Sequence, residues 1–280
     1  MWFIAQMPSA RQLLLIPLIA VIWGCSDSQE SLQTVIDKVA MENTRFGQLA
    51  RFTLTGKNLD QEFSVSLSKC AGLAVVEGGS ATSKTISCTI SATGSATLFA
   101  TYQGQQIFSQ AFIIPEPQVS VKTGLGEIVI ELNPTLAPIT VSNFLAYVNE
   151  SFYNNTLIHR VEKGFVVQGG WLDTTPAIKN PTRGSIALES NNGLSNLKGT
   201  VGMARTNEPN SATSQFYFNL ADNVGLDYAQ GIRDGYAVFG KIVAGLTVLE
   251  ALGQVPIATR YGLTTFPATD IVISEVRQTQ

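Results

Sequence analysis

Histidine occurs once in the 280 residues, at His159, and cysteine three times, at Cys25, Cys70 and Cys88. A Ser-His-Asp hydrolase site therefore has a single imidazole to be built around, and a zinc centre lacks the usual cluster of His and Cys ligands. Neither a Gly-x-Gly-x-x-Gly turn nor a Walker pattern is present, which argues against a phosphate-cradling loop. An excess of charge is missing too. The 18 basic and 21 acidic residues leave a net charge of -3, which offers no electrostatic footprint for nucleic acid. There is no internal repeat and no low-complexity tract, and no cofactor or metal is expected.

The one long hydrophobic run comes first. Arg11 is followed by an apolar stretch over 13–22, too short and too early for an ordinary spanning helix, which reads as the h-region of a secretory signal. A buried core helix does not suit it, because 26–31 turns abruptly polar. Ile22-Trp23-Gly24-Cys25 resembles a bacterial lipobox, in which the cysteine is lipidated and becomes the mature N-terminus. That resemblance implies a signal peptide over 1–24, a tether over 25–30 and a membrane partner reached through a lipid on Cys25. Export without lipid is the alternative, since Trp23 is bulky for its place. Ser26, rather than Asp, after the cysteine implies a periplasm-facing protein on the outer membrane. With Cys25 assigned to the lipid, Cys70 and Cys88 remain as a disulfide or as two buried free thiols. Export favours the bond, because disulfides persist outside the cytoplasm, and closing such a loop contributes roughly 3 kcal/mol in the chain-entropy account.

From 31 to 115 the chain alternates apolar and polar residues in short runs, at 51–55, 63–67, 85–90, 96–102 and 107–112, separated by Gly, Asn and Ser. Strands at that spacing predict a β-sandwich. The turn Thr55-Gly56-Lys57-Asn58-Leu59 weakly resembles bacterial immunoglobulin-like modules. No paired acids, exposed base or glycine loop suggests chemistry here, so the segment reads as a spacer or a surface for an envelope protein. Pro115-Glu116-Pro117 cannot continue a central strand and marks the boundary.

The remaining residues, 116–280, are enough for one well-buried core. Segments 119–122 and 127–132 read as an antiparallel pair turning at 123–126. Pro138 followed by Val141, Phe144, Leu145 and Val148 predicts an amphipathic helix. A second helix is expected over 245–252 and a final strand over 271–276. Composition and periodicity by themselves predict only a mainly β protein.

Two blocks add much more. The first runs Phe152-Tyr153-Asn154-Asn155-Thr156-Leu157-Ile158-His159-Arg160-Val161 into Gly164-Phe165-Val166-Val167-Gln168-Gly169-Gly170. The second runs Gly199-Thr200-Val201-Gly202-Met203-Ala204-Arg205 into Ser211-Ala212-Thr213-Ser214-Gln215-Phe216-Tyr217-Phe218. In order and spacing they resemble the cyclophilins, peptidyl-prolyl cis-trans isomerases, and the resemblance extends over about 118–280. It implies an eight-stranded antiparallel β-barrel capped by two α-helices, following the immunoglobulin-like sandwich. It implies catalytic roles for Arg160, Phe165 and Gln168. Substrate binding would fall to Val166, Met203, Ala204, Arg205, Gln215, Phe216, Tyr217, Leu226 and Tyr236. Proline-containing polypeptides are the implied partners, with folding of exported proteins as the purpose.

The residue types suit that chemistry. A guanidinium stays charged at any working pH and presents several N–H groups in a rigid plane, while apolar and aromatic groups form a pocket for a proline ring. His159 would point away from Arg160 on an alternating strand and reads as structural. Arg205 stands where many family members carry asparagine, Tyr217 where phenylalanine is usual, and Tyr236 where many have histidine. Gly225 falls at the position of a bulky aromatic, which implies weak binding of cyclosporin. Two non-enzymatic classes compete with the isomerase: a module that only binds proline segments, and a structural envelope lipoprotein.

Overall fold

The period-two pattern of the first half translates into two facing sheets. The structure, a computed structural model, describes residues 33–280 except Glu77. The apolar run, the tether and Cys25 lie outside the described residues. Among the described residues no helix is long and apolar enough to cross a membrane.

Seven strands form the first part: β1 Val35–Glu42, β2 Leu49–Lys57, β3 Ser64–Leu67, β4 Cys70–Val75, β5 Ser83–Ile90, β6 Gly94–Tyr102 and β7 Gln105–Ile114. One sheet has the order β1-β2-β5-β4 and the other β3-β6-β7, all antiparallel. That four-plus-three order is the one immunoglobulin constant-type domains use. Ala50, Phe52 and Leu54 of β2, Ile86, Cys88 and Ile90 of β5, and Ala96, Leu98 and Ala100 of β6 alternate into a shared core. The expected strands number five, and the two additional ones are β1 and β4. Both carry register shifts, at Ile36/Lys38 and Ala71/Ala74, which break the alternation that makes a strand legible. Cys70 and Cys88 are bonded, with Cα atoms 5.8 Å apart, so the bridge staples β4 to β5 within one sheet. Antibody domains place their bridge across the two sheets instead.

The second part is a barrel. Its strands are β8 Gln118–Thr123, β9 Gly126–Leu132, β10 Thr156–Leu157, β11 Arg160–Glu162, β12 Val166–Gly169, β13 Thr200–Met203, β14 Phe216–Asn219 and β15 Val238–Ala244. A small hairpin follows, β16 Ile257–Arg260 with β17 Leu263–Pro267, and then β18 Val272–Gln278. The sheet order is β10-β18-β8-β9-β15-β13-β14-β12-β11. The first and last members, β10 and β11, are separated only by Ile158 and His159. They are two halves of one bent strand. Its start pairs with β18 through Thr156 and Leu157, and its end pairs with β12 through Arg160, Val161 and Glu162. Counted once, it closes a ring of eight antiparallel strands, the number that just fills its interior with side chains.

Two helices cap the ring: α1 Pro138–Asn149 and α2 Leu246–Leu252. The four apolar positions expected to face inward on α1 are all buried. Pro138 begins α1, whose own first residues supply no side-chain cap. The distant Glu189 supplies it, accepting hydrogen bonds from the backbone N–H groups of Ile139 (3.0 Å) and Thr140 (2.8 Å), where an anion also complements the helix dipole. Gly245 precedes α2 at φ 85°, and a Cβ there would come within 2.2 Å of the Glu127 carbonyl oxygen. Inside, Phe144 of α1 meets Tyr153, Phe216 and Phe239 at centroid distances of 5.2, 5.4 and 5.1 Å.

Sandwich and barrel meet where a loop of the first enters the core of the second. Phe46, between β1 and β2, is 7% exposed and packs into the barrel's core cluster. Beside it the Gln48 side-chain amide donates to Asn149 Oδ1 (3.2 Å) and Gln278 Oε1 (3.1 Å), while Gln278 donates to the Phe46 carbonyl (3.2 Å). Residues 33–280 accordingly form one compact unit around two principal cores. Phe46→Ala should destabilise the protein by about 3 kcal/mol, from lost burial and an unfilled gap. Urea unfolding followed by circular dichroism checks this, and a change below about 1 kcal/mol would show that the loop merely rests on the barrel.

Candidate functional site

Arg160 begins β11, directly opposite Gln168 of β12, which is in turn opposite Tyr217 of β14. Three adjacent strands thus aim an arginine, an amide and an aromatic ring at one outer strip of the barrel. Their mouth is a groove of about 350 Å³ lined by Arg160, Phe165, Val166, Gln168, Ala204, Arg205, Tyr217, Leu226 and Tyr236. Phe165 comes from the turn before β12, Ala204 and Arg205 from the end of β13, and Leu226 from a short 3-10 turn, Val224–Leu226. A larger cavity of about 440 Å³, bounded by Leu132, Leu194, Leu197 and Val238, contains none of the candidate site residues.

The polar groups form a relay. Arg160 Nη1 donates to Gln168 Oε1 (3.2 Å), and Gln168 Nε2 donates to Gln215 Oε1 (2.9 Å). Arg160 Nη2 is paired with the Glu162 carboxylate, and the guanidinium carbon sits 5.6 Å from the Phe165 ring centroid. Glu162 was not among the expected site residues. Its signal is local, since residues two apart on a strand share a face.

Gln215 therefore stands behind Gln168, holding it, and does not line the groove. Two expected groove residues are corrected outright. Met203 (2% exposed) and Phe216 (0% exposed) face each other across β13 and β14 on the barrel's interior side and belong to its core. The strand pleat decides this: Tyr217 takes the outward position between Phe216 and Phe218, which both face in.

The Tyr217 hydroxyl donates to Asn196 Oδ1 (2.7 Å), and Asn196 is fully buried. Asn196 in turn donates to Asp227 Oδ1 through its backbone N–H (2.7 Å) and its amide (2.9 Å), and Ser195 donates to the same carboxylate. Partial burial alone would raise the Asp227 pKa, but these bonds and the charge of Arg233 hold it below the ordinary value. Burial pushes the Tyr217 phenol well up, with Tyr236 and Asp227 adding to it, so the ring keeps its proton. Asn196 carried no motif; nothing along the chain marks it as the peg under Tyr217. Tyr236 meets Tyr217 edge-on at 6.2 Å, and Arg205 stacks over Tyr236 at 4.6 Å. At Gly225 a side chain would find open space, with nothing within 4 Å of a Cβ.

The sequence profile of the family described as cyclophilin type peptidyl-prolyl cis-trans isomerase/CLD matches residues 118–278. The chain belongs to the cyclophilins. Among curated cyclophilins, peptidyl-prolyl cis-trans isomerase A of Dickeya dadantii is 44% identical over 179 residues, 61% of this chain and 89% of that protein. Peptidyl-prolyl cis-trans isomerase B of Escherichia coli is 42% identical over 161 residues, 56% of this chain and 97% of that one. A crystal structure of a Cryptosporidium parvum cyclophilin aligns with a TM-score of 0.52 and 26% identity, covering 59% of this chain and 99% of its own. The same parasite's cyclophilin crystallised in the presence of the dipeptide Ala-Pro aligns at 0.51 with 26% identity, covering 58% and 99%.

His159, next to the cyclophilin arginine, points the other way. It is 3% exposed, lies edge-on to Trp171 at 5.2 Å, and its Nδ1 has no hydrogen-bond partner among the described residues. Burial lowers its pKa from 6.5 to about 4, with the Arg160 charge helping. The imidazole is thus neutral when folded and takes a proton when unfolded below pH 6.5. Its stabilising contribution is complete above 6.5 and is lost as the pH falls through about 4, an effect on the order of 3 kcal/mol. Urea midpoints at about pH 7.5 and about pH 4.5 should fall further for the native sequence than for His159→Gln. Equal losses would assign the acid sensitivity to other groups.

Proposed function

We propose that this cyclophilin is an exported peptidyl-prolyl cis-trans isomerase, lipid-anchored through Cys25 and serving the folding of exported proteins. Facing the periplasm from the outer membrane, it would act on proline-containing segments, with the sandwich over 31–115 as spacer or docking module for an envelope protein. The observation that carries the catalytic reading is the guanidinium of Arg160 held between Gln168 and Glu162 in a groove that also offers Phe165, Val166, Tyr217 and Leu226. The family membership and the related cyclophilin crystallised in the presence of Ala-Pro support it.

An X-Pro amide resists rotation through its C–N double-bond character, with a barrier of roughly 18 to 20 kcal/mol. No bond need break. In the twisted state the prolyl nitrogen becomes pyramidal and gains a lone pair, to which Arg160 donates a hydrogen bond. Phe165, Val166, Tyr217 and Leu226 receive the ring and exclude water, so the donor acts in a medium of lowered dielectric. Gln168 fixes Arg160 and offers its amide to the peptide backbone. Because only the twisted state receives the full set of contacts, the barrier falls.

Arg160→Ala should lower kcat/KM on a short Ala-Pro peptide at least about tenfold, about 1.4 kcal/mol of transition-state stabilisation, with an unchanged circular dichroism spectrum. Exchange NMR reads the rate directly. Full activity in the variant would remove Arg160 from the mechanism, whereas no activity in the native sequence would favour a protein that only binds proline segments. Cys25→Ser tests the anchor: the variant should move to the soluble periplasmic fraction and lose fatty-acid labelling. Equal membrane retention would defeat the lipid reading.

A further inference from the structure

The groove holds two arginines in different electrostatic states. Arg160 is paired with Glu162. Arg205 is held differently: its Nε donates to the Gly235 carbonyl (2.9 Å) and its Nη1 to the Thr206 carbonyl (2.8 Å), with Asn207 farther off at 3.4 Å. Carbonyl oxygens fix the guanidinium plane and leave its full charge in place. The ring of Tyr236 under it, 4.6 Å from the guanidinium carbon, adds a third restraint and no counter-charge. Among the described residues no carboxylate oxygen lies within 4.0 Å of it. Its Nη2 makes no hydrogen bond to those residues. Arg205 is thus a rigid, uncompensated cation with a free donor edge, lining the groove beside the rings of Tyr236 and Tyr217.

We infer that Arg205 sets substrate specificity, selecting peptides with an acidic side chain next to the proline. This rests on the reading of the groove as the proline-binding site. A carboxylate from the peptide meets a pre-oriented guanidinium that needs no reordering, which keeps the entropic cost of the pair low. A basic side chain at the same place is repelled. Glu162 at the Arg160 end sharpens the discrimination, because it cancels the other positive charge and leaves Arg205 as the cation that an incoming acid meets. The asparagine that many cyclophilins carry at this position has no charge to offer.

The test uses peptides with Glu, Gln or Lys immediately before or immediately after the proline. Exchange NMR yields kcat/KM for each, and chemical-shift titration yields affinities on the same samples. With the native sequence, Glu should exceed Gln by about threefold to tenfold at one of the two positions, and the ratio should shrink towards one at about 0.5 M salt. Arg205→Gln should abolish the ratio, whatever its absolute activity, and Arg205→Lys should retain part of it; amide NMR spectra confirm that both variants are folded. A Glu-to-Gln ratio near one at both positions, or one that persists in Arg205→Gln, overturns the inference while leaving the isomerase reading intact. Failure to isomerise any peptide would sink the isomerase reading instead, and the affinity ratios would still decide the role of Arg205.

Discussion

The interaction on which the site depends is the double pairing of one bent strand. Residues 156–162 give their first half to β18 and their second to β12, and this closes the barrel. The same closure sets Arg160 across from Gln168 at fixed register, and β12, which carries Gln168, is itself held between β11 and β14. A slip of one residue would turn Arg160 inward and bring His159 to the groove, exchanging a solvated cation for a buried one. The burial of the His159 position penalises that exchange, since an unpaired charge there would lose its hydration.

Behind the groove, polar groups are arranged in layers that end in a buried hub. Asn196 receives the Tyr217 hydroxyl and an amide proton of Asn219, and donates to Asp227. Each buried polar atom in this set is matched, which removes the penalty that a buried tyrosine hydroxyl would otherwise suffer. Tyrosine is tolerated where phenylalanine is usual because the fold brings an acceptor to it. The cost of the arrangement is dependence on a loop, since Asn196 comes from the segment between β12 and β13 and not from the barrel strands.

The sandwich contributes to the barrel through Phe46 and the amides of Gln48 and Gln278. One aromatic side chain seated in the neighbouring core, with amides matched at its rim, resists hinge motion far better than a flexible linker, which restricts only distance. Cys70–Cys88 reinforces the sandwich itself, tying edge strand β4 to the more central β5.

The sequence by itself determined what depends on neighbours along the chain. Strands that alternate without interruption, such as β2, β5 and β6, were legible, as was α1, whose apolar residues recur at helical spacing. The resemblance of the two motif blocks to the cyclophilins pointed to Arg160, Phe165 and Gln168, because order and spacing within a short segment survive folding. Tertiary structure decided what depends on partners far away. Met203 and Phe216 sit in the same blocks as groove residues, yet only the pairing of β13 with β14 settles that they face the core. β1 and β4 were hidden because bulges, which make sense only opposite a partner strand, erase the alternation. Phe46 looked like any loop aromatic until another core received it, and Asn196 like any loop asparagine until Tyr217 and Asp227 converged on it. Covalent neighbours set periodicity, whereas burial and hydrogen-bond matching are properties of the closed barrel, so no local pattern can announce them.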